Sequence, residues 1–339
     1  MDAINIAFRI DENNFSQLGV SLTSLLDRIK QDRYYDIIIL FSNLKKEEID
    51  DFLVRANFLC KVNVSVRFYD VAPWEEMLDT KIKERLREDF SIFLLQKIFS
   101  DYKKILYLGA NLIVLDDLAK IYDLPEEDSG FIAATLDIRR IFLSQQKLNR
   151  LTSVEGYENS DDFCSCFQTD VMIFYFEKMR NKSFDFYDVC IEESRRVEES
   201  ASFSQNVLNL ALKGHVKYFP VGWNLDSGLM SEFPSCKRIL SESLLDEYLE
   251  GLKNPKIINY GGSKTLLEKG KRTALDSIWW KIARSSVFYD GLLGKDFYGL
   301  TEKNAADIVG YVIAKFLIYW KYKALSVIGF NKSHYKRKL

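Results

Sequence analysis

The chain's imidazole and thiol groups are His215 and His334 with Cys60, Cys164, Cys166, Cys190 and Cys236. Zinc sites and Ser-His-Asp triads draw on these residue types. Their spacing here supports neither. Cys164 and Cys166 are separated by one residue, which is not zinc-finger spacing, and His215 sits in a Lys-Gly-His-Val-Lys loop before a strand. The cysteines read as free, packed thiols. Anion chemistry has more support. Gly261-Gly262 precedes Lys264, so backbone amides and an ammonium can face one anion together. Arg9, Lys269, Lys271 and Arg272 are further cations that can clamp phosphate, although surface bases are usually just solvated. Asp11 and Asn13 follow directly on an apolar strand. Both residue types are at home in a strand-end turn. Asp116-Asp117 reads as the cap of the next helix.

The elements that must position these groups alternate. Strand patterns cover residues 4–9, 36–41, 63–69, 104–108, 131–135, 170–176, 216–219 and 256–260. Helical spacing covers 16–29, 45–58, 81–99, 186–199 and 204–212. The run Ile37-Ile38-Ile39-Leu40 is the pattern of a strand buried on both faces. Strands alternating with helices predict an α/β fold with a mostly parallel sheet covered on both sides. Residues 137–166 read as a polar, irregular stretch. Ser204 reads as a helix N-cap.

Charge narrows the function classes. Lys and Arg number 47 against 49 Asp and Glu, a net charge of −2. That balance gives no electrostatic case for nucleic acid. The first residues show no basic-then-apolar leader, and the chain shows no uninterrupted apolar span of membrane length. A cytoplasmic protein is expected. The last residues differ in composition. Between Tyr311 and Leu339 there are Lys315, Lys321, Lys323, Lys332, Lys336, Arg337 and Lys338, no acid, and interleaved Phe316, Tyr319, Trp320, Tyr322, Phe330 and Tyr335. Rings at an apolar boundary with amines on phosphates suit an anionic membrane surface. A helix docked on the domain with a solvated basic edge is the alternative. The expected division is a domain over 1–280 and a basic, helical, membrane-associating tail over 281–339.

Six collinear segments resemble glycosyltransferase family 8, which includes the retaining hexosyltransferases of bacterial lipopolysaccharide and capsule. Ile6-Ala7-Phe8-Arg9-Ile10-Asp11-Glu12-Asn13 is similar to its opening strand and nucleotide loop. Residues 17–26 are similar to the helix that follows. Lys104-Ile105-Leu106-Tyr107-Leu108-Gly109-Ala110-Asn111, continuing to Asp116-Asp117-Leu118, resembles its central signature. Phe167-Gln168-Thr169-Asp170 resembles its acceptor strand, Ser204-Gln205-Asn206 its Asp-Gln-Asp helix start, and Ile257-Ile258-Asn259-Tyr260-Gly261-Gly262-Ser263-Lys264 its late His-containing loop.

The resemblance implies a single GT-A domain, Rossmann-like, binding a nucleotide sugar at the C-terminal ends of its strands. Asp11 and Asn13 would read the base, and Lys264 with Gly262 would hold the diphosphate. Gln205 would lie near the anomeric carbon, as the catalytic candidate. Gln168, Asp170, Ser204 and Asn206 would lie near donor and acceptor sugars. The family holds a divalent cation on two Asp of an Asp-x-Asp motif and a later His. Those positions are Gly109, Asn111 and Asn259, so no tightly bound Mn²⁺ or Mg²⁺ and no other bound cofactor is expected. Asp170 replaces a glycine that leaves room for sugar, and the place of a family arginine falls near Ile92. Two functions follow. One is metal-independent, retaining hexosyl transfer from a UDP-hexose to a lipid-linked oligosaccharide at the inner membrane face. The other is a catalytically inactive relative that serves as scaffold or oligosaccharide-binding partner of an active glycosyltransferase.

Overall fold

The computed structural model describes residues 3–10, 14–75, 90–125, 130–151, 165–197, 202–261 and 273–292. Asp11, Asn13, Cys164, Gly262, Lys264, Lys269, Lys271, Arg272 and the basic tail lie outside the described residues. The chain divides into a compact unit of residues 1–289 and a second of 290–339.

Strands β1 (Ile4–Ile10), β2 (Tyr35–Phe41), β3 (Val64–Asp70), β4 (Ile105–Leu108), β6 (Ile132–Leu136), β7 (Phe167–Phe174) and β8 (Val216–Tyr218) form one sheet in the order β3-β2-β1-β4-β7-β6-β8. Strands β3, β2, β1 and β4 run parallel. Strand β7 is antiparallel to both neighbours, and β6 is parallel to β8. Strands β5 (Leu112–Val114), β9 (Leu225–Asp226) and β10 (Ile257–Asn259) form a second, small sheet in the order β5-β10-β9.

The apolar runs explain why both faces are covered. Successive strand residues point to opposite faces. Ile37 and Ile39 join one buried cluster with Ile6 and Phe8, while Ile38 and Leu40 join a second with Ala7. Helices α1 (Phe15–Arg28) and α2 (Lys46–Leu59) supply the first cluster; α4 (Phe186–Arg196) and α5 (Phe203–Ala211) supply the second. In α1, Leu18, Leu22, Leu25 and Leu26 lie at helical spacing and are all buried.

The structure corrects several elements. Residues 137–166 are not irregular throughout, because α3 (Ile138–Leu151) begins there. Its buried Ile138, Ile141 and Phe142 lie at helical spacing on one face. Strand β7 spans Phe167–Phe174 rather than 170–176. Within 81–99 the described helical turns are Phe90–Phe93 and Leu95–Ile98. Helices α6 (Glu242–Lys253) and α7 (Ala274–Ser285), and strands β5 and β9, were not expected.

Candidate functional site

Strands β1, β4 and β6 end at one edge of the sheet, and antiparallel β7 begins there. Open α/β sheets bind ligands at such an edge. A cleft lies on it, with two lobes of about 540 and 590 Å³. Arg9, Asn14, Gly109, Ala110, Asn111, Thr169 and Ser204 line the first lobe. Asp137, Arg139, Arg140, Gln168, Asn206, Asp226 and Asn259 line the second. Asp170, Ser202, Gln205 and Gly261 line both.

The loop after β4 is bolted down from α1. Ser21 Oγ donates to the Ala110 carbonyl and accepts from Leu112 N–H at 3.0 Å; Ser24 Oγ accepts from Val114 N–H at 2.9 Å. These hydroxyls are buried, so the bonds fix the loop rather than compete with water. Across the sheet, Gly109 N–H donates to the Asp170 carbonyl at 2.8 Å. The Asp170 side chain then folds over the glycine. A Cβ placed on Gly109 would lie 2.8 Å from Asp170 Oδ1 and 3.3 Å from its Cβ. The carboxylate occupies the space into which a side chain at 109 would project.

Asn259 fixes that carboxylate from below. It is 4% exposed, so its hydrogen bonds must be met within the protein. Its Oδ1 accepts from Gly261 N–H at 2.7 Å, which sets the orientation of the amide. Its Nδ2 therefore faces Asp170 Oδ2 at 2.7 Å, Asn224 Oδ1 at 2.9 Å and Gln168 Oε1 at 3.3 Å.

A second network ties α3 to α5. Asp137 is the first residue after β6, and its Oδ1 accepts from Arg140 N–H at 2.8 Å. Its Oδ2 accepts from Gln205 Nε2 at 2.7 Å. Burial pushes the Asp137 carboxyl above its ordinary range, and the nearby charge of Asp226 pushes the same way; the bonds from Arg140 and Gln205 oppose them. Arg140 Nη2 donates to Asn206 Oδ1, while its Nη1 is buried with no hydrogen-bond partner. Arg139 pairs with Asp226 at 3.6 Å and Glu232 at 3.9 Å.

The cleft thus gathers Gly109, Asn111, Gln168, Asp170, Ser204, Gln205, Asn206 and Asn259, all singled out in the sequence. Ile92 is buried and also lines it. Ser204 is not the N-cap; α5 starts at Phe203 after Ser202. Asp117 Oδ1 accepts from Ala119 N–H at 3.0 Å at the head of the turn Ala119–Tyr122, and Asp116 binds Lys120 and Lys256. His215 stacks on Phe131, with ring centroids 4.4 Å apart. Sequence reading missed Asp137, Arg139, Arg140 and Asp226. The signal for two of them was position: Asp137 follows β6, and Asp226 closes β9.

Residues 5–264 match the family model described as glycosyl transferase family 8. The chain belongs to that family. No curated protein sequence matches it. Among solved structures, the galactosyltransferase LgtC in complex with donor and acceptor sugar analogs is similar at 18% identity and a TM-score of 0.63, covering 84% of this chain and 96% of that one. The apo bifunctional glycosyltransferase WbbM gives 19% identity and a TM-score of 0.62, covering 83% of this chain; this chain spans about half of WbbM, 51%. GlyE of Streptococcus pneumoniae TIGR4 gives 17% identity and a TM-score of 0.56, over 82% of this chain and 60% of that one. At these identities the neighbours establish the GT-A fold.

The three positions that the resemblance assigns to the family's divalent cation, Gly109, Asn111 and Asn259, carry no charged or imidazole ligand. Gly109 brings no ligand. The Asn259 oxygen is taken by Gly261 N–H, and its amide hydrogens face Asp170. The Asn259 side chain therefore turns a donor, not a lone pair, toward Asp170. Among the described residues no group of three or more His, Cys, Asp or Glu is placed to hold a metal.

Proposed function

We propose that this chain acts in cell-envelope polysaccharide assembly, of lipopolysaccharide or capsule, without the divalent cation its family uses. Two modes fit the residues. In the first, a UDP-hexose gives up its hexose with retention to a lipid-linked oligosaccharide. Gln205 then lies near the anomeric carbon, and cations of the chain, Lys264 foremost, take the diphosphate charge. In the second, the chain transfers nothing, and the retained cleft serves as a scaffold or oligosaccharide-binding partner of an active glycosyltransferase.

The observation that favours the second mode is the Asp170 carboxylate lying over Gly109, where Cβ of any other residue would meet Oδ1 at 2.8 Å. Leaving-group charge is neutralised in transfer by cations, and the positions that the resemblance assigns to the family's cation are Gly109, Asn111 and Asn259, with Arg9, Arg139 and Arg140 also lining the cleft. The test is turnover. Purified chain is incubated with UDP-glucose and UDP-galactose, with Mn²⁺ or with EDTA, and released UDP is measured. The non-catalytic mode predicts none above the buffer rate in either condition. UDP release in EDTA that needs Gln205 would establish the metal-free transferase instead. The basic aromatic tail after Gly310 is proposed to bring the protein to the inner membrane face, as a peripheral rather than spanning contact. In support, no helix among the described residues is long and apolar enough to cross a membrane.

A further inference from the structure

We propose that Asp137 is a positioning residue for Gln205: it holds the amide nitrogen inward and so turns the amide oxygen, a pure acceptor, toward the cleft. The inference deepens the cleft reading proposed above and applies to either of its modes.

The frame comes from the start of β7. Asp137 N–H donates to the Cys166 carbonyl at 2.9 Å, and Leu136 of β6 pairs with Phe167. Asn209 of α5 accepts from Phe167 N–H at 2.8 Å and donates to the Phe167 carbonyl at 3.1 Å. Its Nδ2 also donates to the Gln205 carbonyl at 2.9 Å. Asp137 and the first turn of α5 are therefore pinned to adjacent residues, and their facing side chains meet at 2.7 Å.

Counting protons decides which atom of Gln205 faces inward. Asp137 is 6% exposed, so its bonds are made within the protein. Its Oδ1 is committed to the N–H of Arg140, the third residue of α3, as a helix cap. Oδ2 is left for Gln205, and an ionised carboxylate only accepts. Its partner is accordingly Nε2. The bonds from Arg140 and Gln205 both favour the ionised form, against burial and the charge of Asp226. Gln205 Oε1 has no hydrogen-bond partner among the described residues, and Gln205 lines both lobes. A ligand group that meets this oxygen must bring a proton, as a sugar hydroxyl does. A nitrogen turned the same way would select a carbonyl or phosphate oxygen instead.

One atom reverses the choice. In Asp137→Asn the cap on Arg140 still demands an oxygen, so Nδ2 takes the place of Oδ2. The inward contact then supplies protons, and Gln205 must turn its oxygen in and its nitrogen out.

Two measurements on the full-length protein test this, at neutral pH and in EDTA so that no stray cation bridges carboxylates. In the first, glutamine side chains carry nitrogen-15, and the Gln205 amide signals are assigned by their loss in Gln205→Glu. Asp137→Asn is expected to shift these signals and to speed their hydrogen exchange about tenfold or more, with the other glutamine signals in place. Unchanged shift and exchange overturn the proposal. In the second, Gln205→Glu sets two carboxylates against each other and is expected to lower the melting temperature. Adding Asp137→Asn puts a donor opposite an acceptor again and is expected to recover at least half of that loss. Losses that add, or a Gln205→Glu protein as stable as the wild type, contradict the assignment. Neither readout depends on turnover, so the assay for UDP release can fail or succeed separately.

Discussion

At the scale of residues, each side chain around Gly109 is fixed by a partner that can be removed. Gly109→Asp places a Cβ 2.8 Å from Asp170 Oδ1. Overpacking and like charge together should cost ~1–3 kcal/mol of unfolding free energy at neutral pH. Asp170→Gly in the same chain should return most of it, so urea denaturation of the two single variants and the double variant should be strongly non-additive. Additive losses would show that the side chains do not share one space. Asp116 supplies a pH test. Burial raises its carboxyl, but the hydrogen bonds from Lys120 and Lys256 outweigh it and hold the group down at about 2, against an ordinary 3.8. A carboxylate lowered on folding stabilises the protein above its unfolded value and loses that contribution as pH falls through the folded value. Asp116→Asn should therefore melt below the wild type at pH 7, and the difference should close between pH 4 and about 2. A constant deficit across that range would mean the loss is steric. Most site residues were legible in the sequence because motif spacing carried them. What was not legible is that Asp170 and Gly109 are complementary, since they lie far apart in the chain and meet only through strand register.

At the scale of elements, α1 is held on two sides. One side bolts the loop after β4 through Ser21 and Ser24. The other carries Gly19, where an added Cβ would lie 2.1 Å from Phe288 Cγ. Phe288 is buried against Phe52, with ring centroids 4.6 Å apart, and Thr23 Oγ1 meets Ser286 Oγ at 2.8 Å. Gly19→Ala should destabilise the protein by ~1–3 kcal/mol. Combined with Phe288→Ala, which removes Cγ and Cδ1, it should cost less than the two single changes summed. Chemical denaturation of the three proteins decides it, and full additivity would mean that the helix and residue 288 relax independently. Strands such as β2 were legible because a short run of β-branched residues, Ile37-Ile38-Ile39, favours strand over helix. Helix α3 was not, although Ile138, Ile141 and Phe142 lie at helical spacing. Strands β5 and β9 were too brief to show a period, with three and two residues.

At the scale of the whole molecule, the fold was readable because six motifs occur in order, and order along a chain constrains topology more than any one motif does. The tail was read from composition alone, by its one-sided charge. Its proposed role gives a direct expectation: truncation after Gly310 should abolish co-sedimentation with vesicles containing phosphatidylglycerol, and raised salt should weaken it in the intact chain. Undiminished co-sedimentation of the truncated protein would place membrane contact elsewhere. The central claim concerns the cleft, where the Asp170 carboxylate and the Asn259 amide are joined beside Gly109. The measurement that reaches it most directly is titration of the wild-type chain with Mn²⁺, followed by electron paramagnetic resonance, with and without UDP. The account predicts that the signal of free Mn²⁺ persists throughout. Loss of that signal at one ion per chain, strengthened by UDP, would contradict it.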